Sequence, residues 1–209
     1  MQEKQIPSLL LNIMFNQVIE QMGRRSLNLL LRRAGLPQYI DRTPALDDSA
    51  TLTVQAYSQL LADIYDMFGP QPAQSLFLQS GRLAADELRR QQPARVQVAG
   101  TALKLLPVSR RLQIVLDQLA DLDEQMYGVP YRLHEDSSAF FLNITDCVYC
   151  AEITRRSHDQ GGPPGKPVCH LPVGILAEMV EWATGERHLI EEITCIAQGA
   201  TACRFRIAK

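Results

Sequence analysis

From Leu9 to Arg33 apolar side chains recur every three or four residues, at Leu10, Ile13, Met14, Val18, Met22, Leu27, Leu30 and Leu31. That spacing predicts a helix, closed by Gly35 and Pro37. A loop follows, and Asp48 or Ser49 is placed to cap a second helix over roughly residues 52 to 68, with Val54, Tyr57, Leu60, Leu61 and Ile64 on one face. A third is expected from about Pro72 to Arg90, broken at Gln91 to Pro93, and a fourth from about Ser109 to Met126. At Tyr127 the period changes. Val129 to His134 and Ala139 to Ile144 read as a hairpin, and Cys147 to Thr154 reads as an extension or a further strand. The Gly/Pro-rich stretch from Asp159 to Pro167 predicts a loop. Leu171 to Thr184 is amphipathic and closed by Gly185; two strands, His188 to Ala197 and Ala202 to Ala208, end the chain around a turn at Gln198 to Thr201. The expected fold class is α+β: N-terminal helices, then an antiparallel sheet with one inserted helix. The division expected is an N-terminal helical extension over residues 1–48, with a dimer seam around Leu27 to Leu31, and a ligand-binding domain over 49–209.

Composition narrows the function. The 209 residues are 46% hydrophobic and 21% charged, with a formal net charge of -2. A sizeable core can be buried, but no strong field steers the chain onto nucleic acid or an anionic membrane. The arginine pairs at Arg24, Arg25, Arg32 and Arg33 read as a solvated helix face. No secretory signal and no bilayer-length apolar run is evident, so the expectation is a cytoplasmic protein without a transmembrane segment. Thiols stay reduced in that compartment. Five cysteines, all beyond residue 146, then suggest metal binding or burial rather than a disulfide framework.

The last hairpin carries the sharpest chemistry. With Gln198 to Ala200 as a three-residue loop, Cys195 opposes Cys203 on one face, close enough for two thiolates to share a tetrahedral ion. Glu192, three residues before Cys195, falls on the opposite face of a flat strand and needs a bulge to join them. Cys169 precedes a helix, whose N-terminus favours a thiolate. Small buried hydrophobes, or a Cys195–Cys203 disulfide, remain alternatives on these residues alone. Cys147 and Cys150 form a CxxC that offers a second or composite metal or redox site, or simple packing; a thioredoxin-type role is disfavoured because no strand-to-helix turn is expected there.

Cys169-His170-Leu171-Pro172-Val173-Gly174, then Gly185, then Glu192-Ile193-Thr194-Cys195, then Gly199 and Cys203-Arg204-Phe205 resemble the 4-vinyl reductase domain over about residues 127 to 209. Members of that family include a protein linked to bacteriochlorophyll synthesis, archaeal hydrocarbon-binding proteins and the sensory domains of phenol-responsive transcription activators. The resemblance implies a fold like that of TRAPP vesicle-tethering subunits. It also implies a zinc site built by Cys169, Glu192, Cys195 and Cys203, and it selects Glu192 over Glu191. It further implies an apolar pocket near the metal, with Phe77, Tyr127, Phe140, Leu142, His170, Val173, Leu176 and Trp182 as candidate walls.

The resulting expectation is a non-enzymatic domain that binds a hydrophobic or tetrapyrrole-type molecule beside a structural zinc. For a chlorophyll-type pigment, His134, His158, His170 or His188 would be candidate axial ligands. By analogy with the family, the chain would serve pigment handling or photosystem assembly as a homodimer, peripheral to a photosynthetic membrane. A 4-vinyl reductase-type enzyme or accessory subunit is the alternative, disfavoured because no GxGxxG follows a strand and because four protein ligands close a zinc site. A protein-interaction scaffold is the third reading.

Overall fold

A computed structural model describes residues 4–91, 100–160 and 162–209, with the side chains of 158–160 outside the description. A short strand β1 (Gln5–Pro7) leads into helices α1 (Ser8–Met22) and α2 (Arg24–Arg33). The single helix expected here is broken at Gly23, whose φ of 85° is open to glycine and strained for other residues. A 3-10 turn (Pro37–Tyr39) and strand β2 (Ala50–Thr53) precede α3 (Val54–Phe68). The cap of α3 is Thr53, whose hydroxyl accepts the Ala56 N–H at 3.1 Å, rather than Asp48 or Ser49. Those two residues instead lead into β2, which pairs antiparallel with β1. Helices α4 (Pro70–Gln91) and α5 (Val108–Tyr127) follow. The break expected at Gln91 to Pro93 runs into residues 92–99, outside the described residues.

Strands β3 (Tyr131–Glu135) and β4 (Ala139–Ile144) form the expected hairpin. The next segment is a helix, α6 (Ala151–Gln160), not a strand. Cys147 to Cys150 form its entering turn, with the Cys147 carbonyl accepting the Ala151 N–H at 3.0 Å. The CxxC therefore does occupy a strand-to-helix turn, contrary to the sequence expectation. Apolar Val148 and Ile153 are compatible with either period, and the hydrogen bonding of the turn decides for the helix. Helix α7 (His170–Thr184) leads to β5 (Ile190–Thr194), a 3-10 turn (Ile196–Gln198) and β6 (Cys203–Ala208). The four-stranded sheet is antiparallel with order β3-β4-β6-β5. Along β6, Cys203, Phe205 and Ile207 point into the core while Arg204 and Arg206 point out, the period-two alternation of a half-buried strand. Among the described residues no helix is long and apolar enough to cross a membrane.

The helices pack on the inner face of this sheet in one continuous core. Leu27, Leu30 and Leu31, read from the sequence as a dimer seam, are buried against the chain's own residues, and Leu29 is the exposed member at 59%. Residues on both sides of the expected division at 48 join that core. The tightest seam lies between α4 and α7. A Cβ on Gly81 would meet the Leu171 carbonyl oxygen at 2.2 Å, and one on Gly174 would meet that of Leu78 at 2.2 Å. The two glycines let the helix backbones touch. Gly81→Ala or Gly174→Ala must push the helices apart. Either is expected to lower stability by about 3 kcal/mol, read as a lower urea midpoint at unchanged slope.

Candidate metal centre and ligand cavity

All five cysteines are buried and unpaired by disulfides. They arrive from three directions: Cys147 and Cys150 from the turn after β4, Cys169 from the N-cap of α7, and Cys195 and Cys203 from the last hairpin. The β5–β6 register explains how Glu192 joins them. Glu192 pairs with Phe205 but Thr194 pairs with Arg204, so a bulge lies between. Continuing the shifted register places Cys195 opposite Cys203, and the bulge turns Glu192 to the same side. Glu191, exposed, ion-pairs with Arg206 at 3.7 Å and takes no part.

Sulfur–sulfur separations are 3.9 Å for Cys169–Cys195, 3.7 Å for Cys169–Cys203 and 3.8 Å for Cys195–Cys203. A tetrahedron with metal–sulfur bonds near 2.3 Å has edges of about 3.8 Å. The three sulfurs and a Glu192 carboxylate oxygen all lie within 4.8 Å of one another. Glu192 Oε2 accepts the Cys169 N–H at 2.8 Å, while Oε1 is buried with no hydrogen-bond partner. Burial pushes the Glu192 carboxyl up, against the opposing pull of the Cys195 thiol and the Cys169 N–H. A divalent cation would relieve both the unpaired oxygen and the buried charge, so the donor set fits zinc.

The turn bearing Cys147 and Cys150 is held from outside. Arg156 on α6 reaches Asp63 and Asp66 on α3 at 2.8 Å each and Glu152 at 3.0 Å. The Glu152 N–H donates to Ser58 Oγ at 3.2 Å. These contacts fix α6, and with it the CxxC, against α3. Cys147 lies 3.6 Å from Cys169 and Cys150 3.5 Å from Cys203. Burial pushes the Cys147 and Cys169 thiols up, whereas Cys150, hydrogen-bonded first by Cys147 and then by the other thiols, is pulled down.

Two cavities flank the centre. An open cleft of about 760 Å³ borders Glu192 and is lined by His170, Val173, His188, Arg82, Lys166 and Glu191, among others. Burial lowers the His170 pKa, leaving a neutral imidazole on the cleft wall at neutral pH. A smaller cavity of about 270 Å³ lies between α1, α4, α5 and α7, walled by Leu10, Leu88, Leu119, Met126, Ile175 and Met179, with Arg89, Gln118, Asp123 and Tyr127 as polar groups.

Of the pocket walls expected from sequence, His170 and Val173 line the cleft, and Tyr127 lines the small cavity and a second groove beside Val54 and Val148. Phe77, Phe140, Leu142 and Leu176 are packed in the core, and Trp182 lies under the Arg89 guanidinium at 5.9 Å. His134 stacks on Phe141 on the outer sheet face, and the His188 Nδ1 meets the Ala208 carbonyl at 2.8 Å. The His158 side chain lies outside the described residues.

Asp123, Gln118, Ile175 and Met179 escaped sequence reasoning. The available signal was Asp123 itself, an acid at core spacing after Leu112, Leu116 and Leu119 on α5. Burial pushes its carboxyl up to about 6, against opposing hydrogen bonds from Tyr131 and Tyr149. The Tyr149 hydroxyl donates to Oδ2 at 3.4 Å. Between about pH 4 and pH 6 the folded chain keeps a proton that the unfolded chain has lost, so this group costs stability as pH rises through that window. Asp123→Asn should abolish that slope and raise stability by about 1–2 kcal/mol above pH 6, as measured by denaturation across pH 4–8.

Residues 141–209 match the family model of the 4-vinyl reductase domain. The matched C-terminal third holds the whole cysteine centre, in agreement with the motifs that resembled this family. No curated protein matches the chain. Among solved structures, an H-NOX protein from S. oneidensis in the Fe(II)NO ligation state is 13% identical, with a TM-score of 0.56 over 98% of this chain and 99% of that one. A Fe(II) unliganded H-NOX protein from K. algicida is 10% identical, with a TM-score of 0.58 over 98% and 96%. The phenol-responsive sensory domain of the transcription activator PoxR, with phenol, is 16% identical, with a TM-score of 0.52 over 85% and 89%. At these identities the likeness establishes the fold alone.

Proposed function

We propose that this chain is a small-molecule-binding sensory domain, with a structural zinc at Cys169, Glu192, Cys195 and Cys203 and a compact aromatic or apolar ligand in the cavity beside Asp123. The observation that carries it is that cavity: apolar walls, a volume of about 270 Å³, and a carboxyl whose pKa burial moves to about 6. Ligand sites combine such walls with a few convergent polar groups and perturbed acids. The fold is shared with a phenol-responsive sensory domain solved with phenol, and with H-NOX proteins solved in Fe(II) and Fe(II)NO states. The cavity lies at the small end of known pockets, which favours a single ring over a tetrapyrrole, and no histidine lines it among the described residues. Pigment handling is therefore the weaker reading.

Helix α7 connects the two parts. Its N-cap, Cys169, belongs to the metal set, and its Ile175 and Met179 wall the cavity. When bound, zinc would fix Cys169, Glu192, Cys195 and Cys203 in place. Those residues then hold the start of α7 to the last hairpin and keep the far wall of the cavity in position.

Two experiments test this. A panel of phenol-sized aromatics is expected to include a ligand that raises the melting temperature, and Ala85→Trp should fill the cavity and abolish that shift while the protein stays folded. A panel without binders, on folded protein, ends the reading. The metal is tested separately. Cys169→Ser is expected to lower bound zinc below one ion per chain and to cost several kcal/mol, and a strong chelator should destabilise the wild type in the same way. Metal-free protein that remains fully stable would remove zinc from the functional reading.

A further inference from the structure

The four zinc donors leave two buried thiols over. Cys147, Cys150, Cys169 and Cys203 make a second quartet whose sulfurs also lie within 4.8 Å of one another. The two quartets share Cys169 and Cys203. We propose, building on the zinc reading above, that the five cysteines and Glu192 form one binuclear centre. In it Cys169 and Cys203 bridge two soft divalent ions, Cys147 and Cys150 complete one tetrahedron, and Glu192 and Cys195 complete the other.

The distances favour this over a single ion beside two idle thiols. Cys147–Cys169 at 3.6 Å, Cys150–Cys203 at 3.5 Å and the shared Cys169–Cys203 at 3.7 Å all approach the edge of about 3.8 Å expected for tetrahedral zinc thiolate. Two tetrahedra that share an edge need six donors. The cluster offers six, two common and two for each end, so none is left over.

Charge points the same way. One ion held by three thiolates and a carboxylate carries a net charge of two negative units. Adding the second ion converts Cys147 and Cys150 to thiolates, releases two protons, and leaves the net charge unchanged. The second site thus fills without added buried charge, the term that most opposes burying ions. Soft thiolates select zinc or another thiophilic ion over magnesium or calcium.

The two ends have different structural consequences. The Glu192 end ties α7 to β5 and β6 and borders the open cleft. The CxxC end ties the β4–α6 turn to the same two bridging sulfurs, beneath a helix locked to α3 by Arg156. Loading the second ion fastens a third segment to the first two.

The test uses full-length protein, stripped with a chelator and kept reduced and anaerobic, then titrated with Co²⁺ and, separately, Zn²⁺. The expected result is an endpoint of two ions per chain by native mass spectrometry. Thiolate-to-cobalt absorption should grow through both equivalents, and the Co²⁺ paramagnetic resonance signal should fall as the second ion couples through the bridging sulfurs. Cys147→Ser with Cys150→Ser should bind one ion, and Glu192→Gln with Cys195→Ser should also bind one, on the opposite quartet. An endpoint of one ion for the wild type overturns the binuclear centre and leaves the mononuclear zinc standing. An endpoint of none, on folded reduced protein, overturns both. Two ions without loss of the resonance signal overturns the bridging arrangement. Because the wild-type titration needs no substitution, the result holds even if a double variant fails to fold.

Discussion

Five thiols and a carboxylate confined to one buried volume are sensitive to charge, and the C-terminal part of the fold is organised around that fact. Without a cation the cluster is a set of weak sulfur contacts and a Glu192 oxygen with no partner. That is a costly way to use the space where three chain segments meet. With a cation every donor is satisfied, and the start of α7, the last hairpin and the turn before α6 become one unit. Metal binding and folding of this region are then linked, because the unfolded chain offers no preformed site.

The hairpin bearing the metal donors was legible in the sequence because its logic is local. Cys195 and Cys203 are brought together by a short turn, and the odd offset of Glu192 demanded a bulge, which the register of β5 contains. The helix-then-sheet order and most element positions were legible for the same reason, since periodicity is a local signal. Convergence from a distance was not legible. Cys147 and Cys150 meet Cys169 and Cys203 through the packing of α6 on α3, and that packing rests on Arg156, Asp63 and Asp66, whose pairing leaves no local pattern. The same applies to the cavity. The walls expected from the family resemblance were mostly apolar side chains, and several are ordinary core. The cavity is lined instead by α4, α5 and α7, with Asp123 as its distinctive member.

Gly81 and Gly174 explain why the two sites can be coupled at all. Backbone contact between α4 and α7 leaves no slack at that crossing, so a displacement at the N-terminus of α7 cannot be absorbed by side chains alone. Cys169 and Met179 are ten residues apart on or beside the helix, about 15 Å at the helical rise, with the glycine crossing midway. A ligand pressing on Ile175 or Met179 and an ion pulling on Cys169 act on the same rigid body.

The larger cleft is the less suitable place for an apolar ligand, despite its volume. Arg82, Lys166, Glu191 and the edge of Glu192 line it, and water competes for each of them. It does lead to the carboxylate end of the cysteine cluster, where a hydrated cation would exchange its waters for protein donors one at a time. Across α7, the cavity at Asp123 is apolar enough to reward burial of a ring and holds one carboxyl whose charge is suppressed below about pH 6. The two spaces divide the work by polarity: the wet one gives access to the metal donors, and the dry one selects the organic molecule. In this arrangement, with α7 as the wall between them, metal occupancy sets how firmly the dry site is built.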